Sequence, residues 1–349
     1  MFSQFAEQVK QADGQQTSSG YYENLVHNVL GEDALRAIKI PPVKKYLGPI
    51  RERTTGQIFG PRGVGKTMVR DALALSLTRN LDFGPFKSEK AAGVLIIDGE
   101  MGADQLQARQ ILADGLPPAI RPLDYIINEH LYRQGMPVIN LSDPLWRDAF
   151  IQLIKETGSR WDVIFLDNLS AFLPGFREND TEAWGPINAF LLQLKWLGKC
   201  VVFYHHSGKN GDQRGTSSRE DALDFVLKLS LPAGYDPQDG CKCDVTMTKS
   251  RSLTGPEAAP FTFEIKEKPS GGLTWLITGQ RESKKELIVA LLGNGISQRE
   301  VADMMGIDKG YISRTKKWGV NNNLLTEAGE FTASGHLKFG GFDIEKYTG

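Results

Sequence analysis

Short apolar runs alternate with helical periodicity along most of this chain, and the alternation predicts a layered α/β fold. The segments Val94–Asp98 and Trp161–Asp167 contain the uninterrupted apolar runs Val94–Ile97 and Val163–Leu166, as expected of strands buried on both faces. Helical spacing separates such runs and predicts helices over Asp104–Leu112, Pro144–Lys155 and Glu182–Leu197. Strands connected through helices favour parallel pairing, so we predict a mostly parallel sheet over residues 45–280.

The pattern changes twice towards the carboxyl terminus. From Asp224 to Gly279 the chain becomes all-β, with predicted strands at Phe225–Leu229, Cys243–Thr248, Phe261–Lys266 and Leu273–Ile277. After Gly279 the pattern predicts short helices at Lys284–Leu292, Ser297–Met305 and Gly310–Trp318. We therefore predict a small all-α domain over residues 281–349.

The first 44 residues form a third predicted region. Residues 1–19 fade into a polar tract and predict a flexible arm, whereas residues 21–39 predict one helix that ends before Pro41-Pro42. The apolar positions of that helix are spaced by three and four residues. In the later helix over Glu182–Leu197 we predict mostly core residues, and not a ligand site, at Trp184, Ile187, Leu191, Leu194 and Trp196.

Composition narrows the functional classes. The chain has 349 residues, 40% hydrophobic and 24% charged, and its net charge of −1 gives no global attraction to nucleic acid. Cys200, Cys241 and Cys243 make no disulfide framework and lack zinc-ligand spacing, so we predict reduced thiols. The start shows no leader pattern, and no apolar run reaches membrane-spanning length. We expect a cytoplasmic protein that does not enter a membrane.

A glycine-rich loop carries the strongest chemical prediction. It follows the apolar run Gln57-Ile58-Phe59 and precedes a helical pattern, which is the context that a G-x-x-x-x-G-K-[ST] motif requires. Its backbone N–H groups would surround phosphate oxygens, Lys66 would reach the β- and γ-phosphates, and Thr67 would ligate Mg²⁺. We predict an ATP site formed by Gly60, Pro61, Arg62, Gly63, Val64, Gly65, Lys66 and Thr67.

Two carboxylates follow predicted strands at the same edge of the sheet. Asp167 ends the run Val163–Leu166, the place where such folds hold Mg²⁺. Glu100 follows Val94–Asp98 beside Gly99 and is the predicted base that activates water. Asp98 competes for that role, but its place inside the apolar run favours a hydrogen-bonded structural part. A strand-ending cap is the alternative for Asp167.

Two further polar segments are candidates for the site. His205-His206 closes the strand after Asp167, and we predict that both imidazoles face the nucleotide and sense its γ-phosphate. The loop behind them carries Lys209 and Arg214, which suit contacts with a phosphate backbone. Lys249 and Arg251 are alternate residues of an extended segment, so their side chains point the same way and can converge on one anion. The pair would then act on the nucleotide of a neighbouring subunit. An exposed basic turn is the alternative.

Together these motifs resemble the RecA-like ring ATPases, most closely the plasmid and phage RepA-type replicative helicases. The resemblance covers roughly residues 45–280. It implies a homohexameric ring that binds ATP between subunits and single-stranded DNA in its channel. By this resemblance Glu100 is the catalytic carboxylate, Asp167 the Mg²⁺ residue and His206 the γ-phosphate sensor. Lys249 and Arg251 match the Lys-x-Arg finger of DnaB-type helicases, with Arg214 and Arg219 as substitutes because Asp224 stands where RepA-type relatives have arginine.

The segment from Ile296 to Arg314 is similar to a helix-turn-helix. Ser297 and Glu300 have the spacing of a capping box, and Gly306 supplies the turn. Eight basic and five acidic residues between Arg281 and Lys317 make this region locally positive. The predicted duplex-DNA contacts are Lys309, Tyr311, Arg314, Lys316 and Lys317. A helical oligomerisation or docking module is the alternative.

The sequence therefore predicts an ATP-driven ring motor on DNA, a replicative helicase of a plasmid, phage or other mobile element. Single-strand contacts are predicted at Arg177, Lys209 and Arg214. A second hypothesis is a DNA-binding ATPase that regulates transcription, partition or defence without unwinding. A recombinase-like filament is the third.

Overall fold

The computed structural model describes residues 18–175, 181–206, 222–232, 234–268, 272–279 and 284–339. They belong to two compact units, divided between Val43 and Lys44. Among these residues, no helix combines the length and the apolar character needed to cross a membrane.

The first unit contains two short helices where the pattern predicted one, so the single helix over residues 21–39 is wrong. They are α1 (Ser18–Asn28) and α2 (Glu32–Ala37). Gly31 is extended, with φ −68° and ψ 164°, and Glu32 and Asp33 follow it. A glycine leaves helical geometry easily, and acidic residues favour the start of a new helix. The large apolar side chains of this unit are exposed, from 44% for Ile38 to 76% for Val29.

The second unit contains a nine-stranded sheet in the order β11-β10-β9-β8-β3-β7-β6-β4-β5. Its strands are β3 (Thr55–Gly60), β4 (Val94–Asp98), β5 (Leu123–Ile127), β6 (Val163–Asp167), β7 (Cys200–His206), β8 (Phe225–Ser230), β9 (Lys242–Ser250), β10 (Phe261–Glu267) and β11 (Leu273–Gly279). The strands from β8 to β5 pair in parallel, and β9, β10 and β11 extend the β8 edge antiparallel. A small hairpin, β1 (Lys45–Leu47) with β2 (Ile50–Arg51), precedes the sheet. The predicted mostly parallel sheet is confirmed.

Helices cover both faces of the sheet. They are α3 (Lys66–Arg79), α4 (Ala103–Ala108), α5 (Asn128–Arg133), α6 (Pro144–Thr157) and α7 (Thr181–Trp196). Consecutive strand residues enter different cores: Phe165 and Tyr204 pack on the α3 face, whereas Ile164 and Phe203 pack on the α6–α7 face. The predicted helix from Asp104 continues past α4 as a 3₁₀ turn, Arg109–Ala113.

The predicted core residues of α7 are mostly buried, with one exception. Trp184, Ile187, Leu191 and Leu194 are buried, but Trp196 is 68% exposed. The four buried residues follow spacings of three and four, which keep side chains on one face of a helix. Trp196 comes two residues after Leu194 and therefore lies on the opposite face.

The carboxyl-terminal region is helical and has its own core. Its helices are α8 (Lys284–Gly293), α9 (Gln298–Met305), α10 (Lys309–Asn321) and α11 (Ala333–Phe339). Ile288, Val301 and Ile312 are fully buried within a cluster drawn entirely from this region. The predicted capping box begins α9: Ser297 N–H donates to Glu300 Oε2 at 3.0 Å, and Glu300 N–H donates to Ser297 Oγ at 3.2 Å. Gly306 ends α9 with φ +62°.

Candidate nucleotide site

The glycine-rich loop joins β3 to α3, as the sequence predicts. Gly63 and Gly65 have φ values of +77° and +95°, conformations that side-chain-bearing residues rarely adopt. Val64 is buried and Arg62 is exposed. Gly60 lies so close to β8 that a β-carbon on it would come within 2.6 Å of the Leu229 carbonyl oxygen. The loop thus has the glycine-dependent backbone of a phosphate cradle.

Lys66 is the first residue of α3, and its ammonium group is buried at the loop. Its Nζ donates to the carbonyl oxygens of Gly60 at 3.0 Å and of Pro61 at 2.7 Å. Burial lowers the pKa of Lys66, and the carboxylates of Asp167 and Glu100 oppose that shift. A desolvated cation that donates hydrogen bonds to neutral carbonyl oxygens is suited to exchange them for phosphate oxygens.

Asp167 and Thr67 lie together at the carboxyl end of β6. The Thr67 hydroxyl hydrogen-bonds the Asp167 carboxylate, which is 6% exposed. Burial raises the pKa of Asp167 to about 6, although Arg70 opposes the shift. A hydroxyl and a carboxylate are the oxygen donors that Mg²⁺ prefers, so these two residues fit the predicted metal.

Glu100 lies beyond the end of β4, the strand next to β6. Its side chain is exposed, and Asp98 pairs in register with Asp167 across the two strands. Asp98 Oδ1 accepts the backbone N–H groups of Glu100 at 3.0 Å and of Met101 at 2.7 Å. Asp98 is therefore the hydrogen-bonded structural part that the sequence predicts, and Glu100 is the carboxylate that faces solvent.

The two histidines at the end of β7 have different surroundings. Consecutive strand residues point to opposite faces of the sheet, so their two side chains cannot lie on the same face. His205 is 5% exposed, whereas His206 is half-buried and its Nε2 lies 3.1 Å from Asn168 Nδ2. Because Asn168 directly follows Asp167, this contact joins His206 to the end of β6.

Lys249 and Arg251 lie near the amino-terminal ends of the parallel strands, whereas the phosphate loop lies at their carboxyl ends. Ser250 pairs with Phe225, which pairs with Gly56 near the start of β3. Asp244 is level with the phosphate loop, and the extended chain from Asp244 to Ser250 spans about 20 Å. Arg251 Nη1 lies 3.6 Å from Asp224 Oδ1. Neither basic residue reaches the phosphate loop of its own chain.

The predicted DNA contacts fall into two groups. Arg177, Lys209 and Arg214, with the alternative finger residue Arg219, lie outside the described residues. On α10, Lys309, Arg314 and Lys317 are exposed, and Tyr311 and Lys316 are half-buried. Lys316 Nζ donates to the Glu327 carbonyl oxygen at 2.7 Å, which draws it away from the other basic residues.

The structure adds residues that the sequence reasoning missed. Arg70 and Asp71 form ion pairs beneath the loop, and Cys241 Sγ lies against Gly65. A signal for the first pair was present: two charged residues interrupt the apolar pattern of α3 one turn after Lys66. Asn168 and Cys241 gave no such signal, because their contacts come from strands distant in the sequence.

A phosphate loop at the edge of a parallel sheet, with carboxylates on adjacent strand ends, defines a RecA-like P-loop ATPase. A family model described as an AAA domain matches residues 24–212, more than half of the chain, and the chain belongs to this family. A KaiC-like protein from the hyperthermophilic archaeon Pyrococcus horikoshii has a similar crystal structure, with 15% identity and a TM-score of 0.45. That similarity covers 67% of this chain and 100% of the other. No curated protein matches this sequence.

Proposed function

We propose that this chain is an ATP-hydrolysing motor that acts on DNA as a homohexameric ring, a replicative helicase of a plasmid, phage or other mobile element. The observation that carries the proposal is the convergence of Lys66, Thr67, Asp167 and Glu100 at one sheet edge. Lys66 binds the phosphates, Thr67 and Asp167 hold Mg²⁺, and Glu100 orients and deprotonates water. Bound Mg²⁺ would neutralise charge on the phosphate oxygens.

The position of Lys249 and Arg251 supports assembly. Both lie far from the loop of their own chain, so they can contribute to hydrolysis only at a nucleotide bound by another chain. In that role they would stabilise the charge that develops on the transferred phosphoryl group. Arg251 would first have to leave Asp224, an ion pair in which the Arg251 side chain is 53% exposed and Asp224, 14% exposed, keeps Lys195 as a second partner.

The surface of α10 supports the action on DNA. Lys309, Arg314 and Lys317 project from a helix that follows α9 after a short turn, the arrangement of a helix-turn-helix recognition helix. The separate core of α8–α11 supports a distinct domain over residues 281–349. The single-strand contacts at Arg177, Lys209 and Arg214 rest on the sequence alone.

The same α10 surface favours a second candidate, a DNA-binding ATPase that assembles on a duplex site and regulates without unwinding. DNA-stimulated hydrolysis separates the two. A motor responds to single strands of any sequence, whereas a regulator responds to one duplex sequence.

The test is strand separation of a forked duplex by the purified chain with ATP and Mg²⁺. Glu100→Gln is the control that binds nucleotide without turnover. We expect unwinding by the wild type alone. A wild type that hydrolyses ATP and never separates strands overturns the helicase part, and particle images with a non-hydrolysable analogue then distinguish rings from filaments.

A further inference from the structure

Arg70 is the largest of the fully buried side chains described, and it lies beneath the nucleotide site. It stands one helical turn after Lys66 on α3 and is 0% exposed. Three carboxylates from three elements surround its guanidinium group: Asp71 on α3, Asp98 on β4 and Asp167 on β6. A buried charge is stable only when it is paired, so this cluster is a built feature of the fold.

The contacts divide the guanidinium into two ends. Asp71 Oδ1 accepts Nε at 2.9 Å and Nη2 at 2.8 Å, which fixes the plane of the group. Nη1 is thereby directed at the other two carboxylates, donating to Asp98 Oδ2 at 2.5 Å and Asp167 Oδ2 at 2.9 Å. One nitrogen therefore joins the ends of two adjacent strands.

Those two strand ends carry different parts of the reaction. Asp167 is the metal carboxylate, and Asp98 holds the backbone turn from which Glu100 projects. Arg70 thus completes a continuous chain of contacts from Asp167 through Asp98 to the Glu100 backbone. Arg70 itself touches neither Glu100 nor the phosphate loop in the contacts described above.

We propose that Arg70 is a positioning residue that holds the Glu100 turn in register with Asp167. The inference rests on the proposed ATPase function and names what sets its geometry. A general base must lie within hydrogen-bond reach of the water that it deprotonates, and a displacement of about 1 Å can cost about 100-fold in rate. If Arg70 were only a counter-ion, any positive charge at this place would serve. Holding two strand ends in register instead needs the planar guanidinium group with its several N–H donors.

The experiment compares wild type with Arg70→Lys, which keeps the charge and loses the fork. Three quantities are measured: kcat and KM for ATP hydrolysis, affinity for a fluorescent ATP analogue across a Mg²⁺ series, and thermal unfolding. We expect kcat to fall about 10- to 100-fold with KM nearly constant. Without Mg²⁺, analogue affinity should stay within about twofold, while half-saturating Mg²⁺ should rise several-fold because Asp167 loses its fixed partner.

Two further variants separate positioning from a merely structural role. Arg79→Lys, on the same helix, is the matched control, because its Nε donates to the Pro117 carbonyl oxygen away from the site; it should behave as wild type. Asp98→Asn breaks the Arg70 contact from the other side and should reproduce the loss of kcat. It also provides the test if Arg70→Lys fails to fold.

A double variant gives the decisive comparison. If Arg70 acts through Glu100, Arg70→Lys should slow wild type but add little to Glu100→Gln. The inference is overturned if Arg70→Lys slows the wild type and Glu100→Gln equally. It is also overturned if Arg70→Lys folds and keeps the wild-type kcat and Mg²⁺ dependence. Either result leaves the ATPase assignment intact. A wild type without any hydrolysis overturns the proposed function instead.

Discussion

The sulfur of Cys241 lies against the α-carbon of Gly65. A β-carbon on Gly65 would come within 2.6 Å of Sγ, closer than any real contact of that kind. Cys241 directly precedes β9, so the antiparallel extension of the sheet packs against the phosphate loop. The loop has a second glycine with positive φ, Gly63, and a β-carbon there would meet no atom within 4 Å.

Gly65→Ala should therefore cost more stability than Gly63→Ala. Both variants force alanine into left-handed backbone, at about 1–2 kcal/mol each. Gly65→Ala adds a clash with Cys241, about 1–3 kcal/mol more. Urea unfolding measures the difference, and adding Cys241→Ala should reduce it. Equal costs for the two glycines would mean that the thiol does not constrain the loop.

Glu100→Gln should retain nucleotide binding and slow turnover roughly 10²- to 10⁴-fold, because the amide cannot take a proton from water. Steady-state hydrolysis and binding of a fluorescent analogue measure the two effects. Asp104→Asn, an exposed carboxylate on the neighbouring α4, is the control and should keep the wild-type rate. Unchanged hydrolysis in Glu100→Gln would remove this residue from the mechanism.

Asp124 on β5 should make stability depend on pH. Burial would raise the pKa of Asp124, but hydrogen bonds from Arg160 and Trp161 outweigh it and lower the pKa below its usual value. Arg160 Nε and Trp161 Nε1 donate to Asp124 Oδ2 at 2.8 Å and 2.5 Å. The ionised carboxylate therefore contributes its full stabilisation above the pKa that Asp124 has in the unfolded chain, about 4. That contribution is lost as the pH falls through the lower pKa that Asp124 has in the folded protein.

Asp124→Asn should accordingly lower the free energy of unfolding by about 1 kcal/mol at pH 7. The difference from wild type should shrink as the pH is lowered below about 4. Urea unfolding across that pH series is the measurement, with the exposed Asp148→Asn as control. A difference that stays constant with pH would assign the effect to packing.

Ser297→Ala should loosen α9 by about 1 kcal/mol, because the Oγ that accepts the Glu300 N–H is lost while the backbone N–H of residue 297 can still donate to Glu300 Oε2. Amide hydrogen exchange over Arg299–Ala302 reports this locally. Ser313→Ala, an exposed serine within α10, removes a hydroxyl without removing a cap and should leave exchange in α9 unchanged. Uniformly faster exchange in both variants would count against the cap.

Features encoded within a few consecutive residues were predictable. The phosphate loop, the capping box of Ser297 and the turn at Gly306 each depend on neighbours in the sequence, so their residue types reveal them. Strands such as β6 were predictable because burial on both faces demands continuous apolar residues. The edge strand β5 was not, because all five of its residues are only partly buried and Asp124 interrupts the apolar run.

Features that depend on contacts between distant elements were not predictable. Arg70 is satisfied by carboxylates 28 and 97 residues away, and no local pattern encodes such pairings. The opposite orientations of His205 and His206 follow from strand geometry, and periodicity alone did not show which one contacts Asn168. The break at Gly31 shows that regular apolar spacing does not guarantee a continuous helix.

The two ends of β9 have one further consequence. Cys241 abuts the phosphate loop at one end, and Lys249 and Arg251 lie at the other. β9 pairs with β10 over Lys242–Val245 and with β8 from Asp244 to Ser250, so its pairing sets the separation of its two ends. A second molecule whose nucleotide received that basic pair would have to sit at the spacing that β9 sets, and inserting two residues into the strand would move the basic pair relative to the phosphate loop.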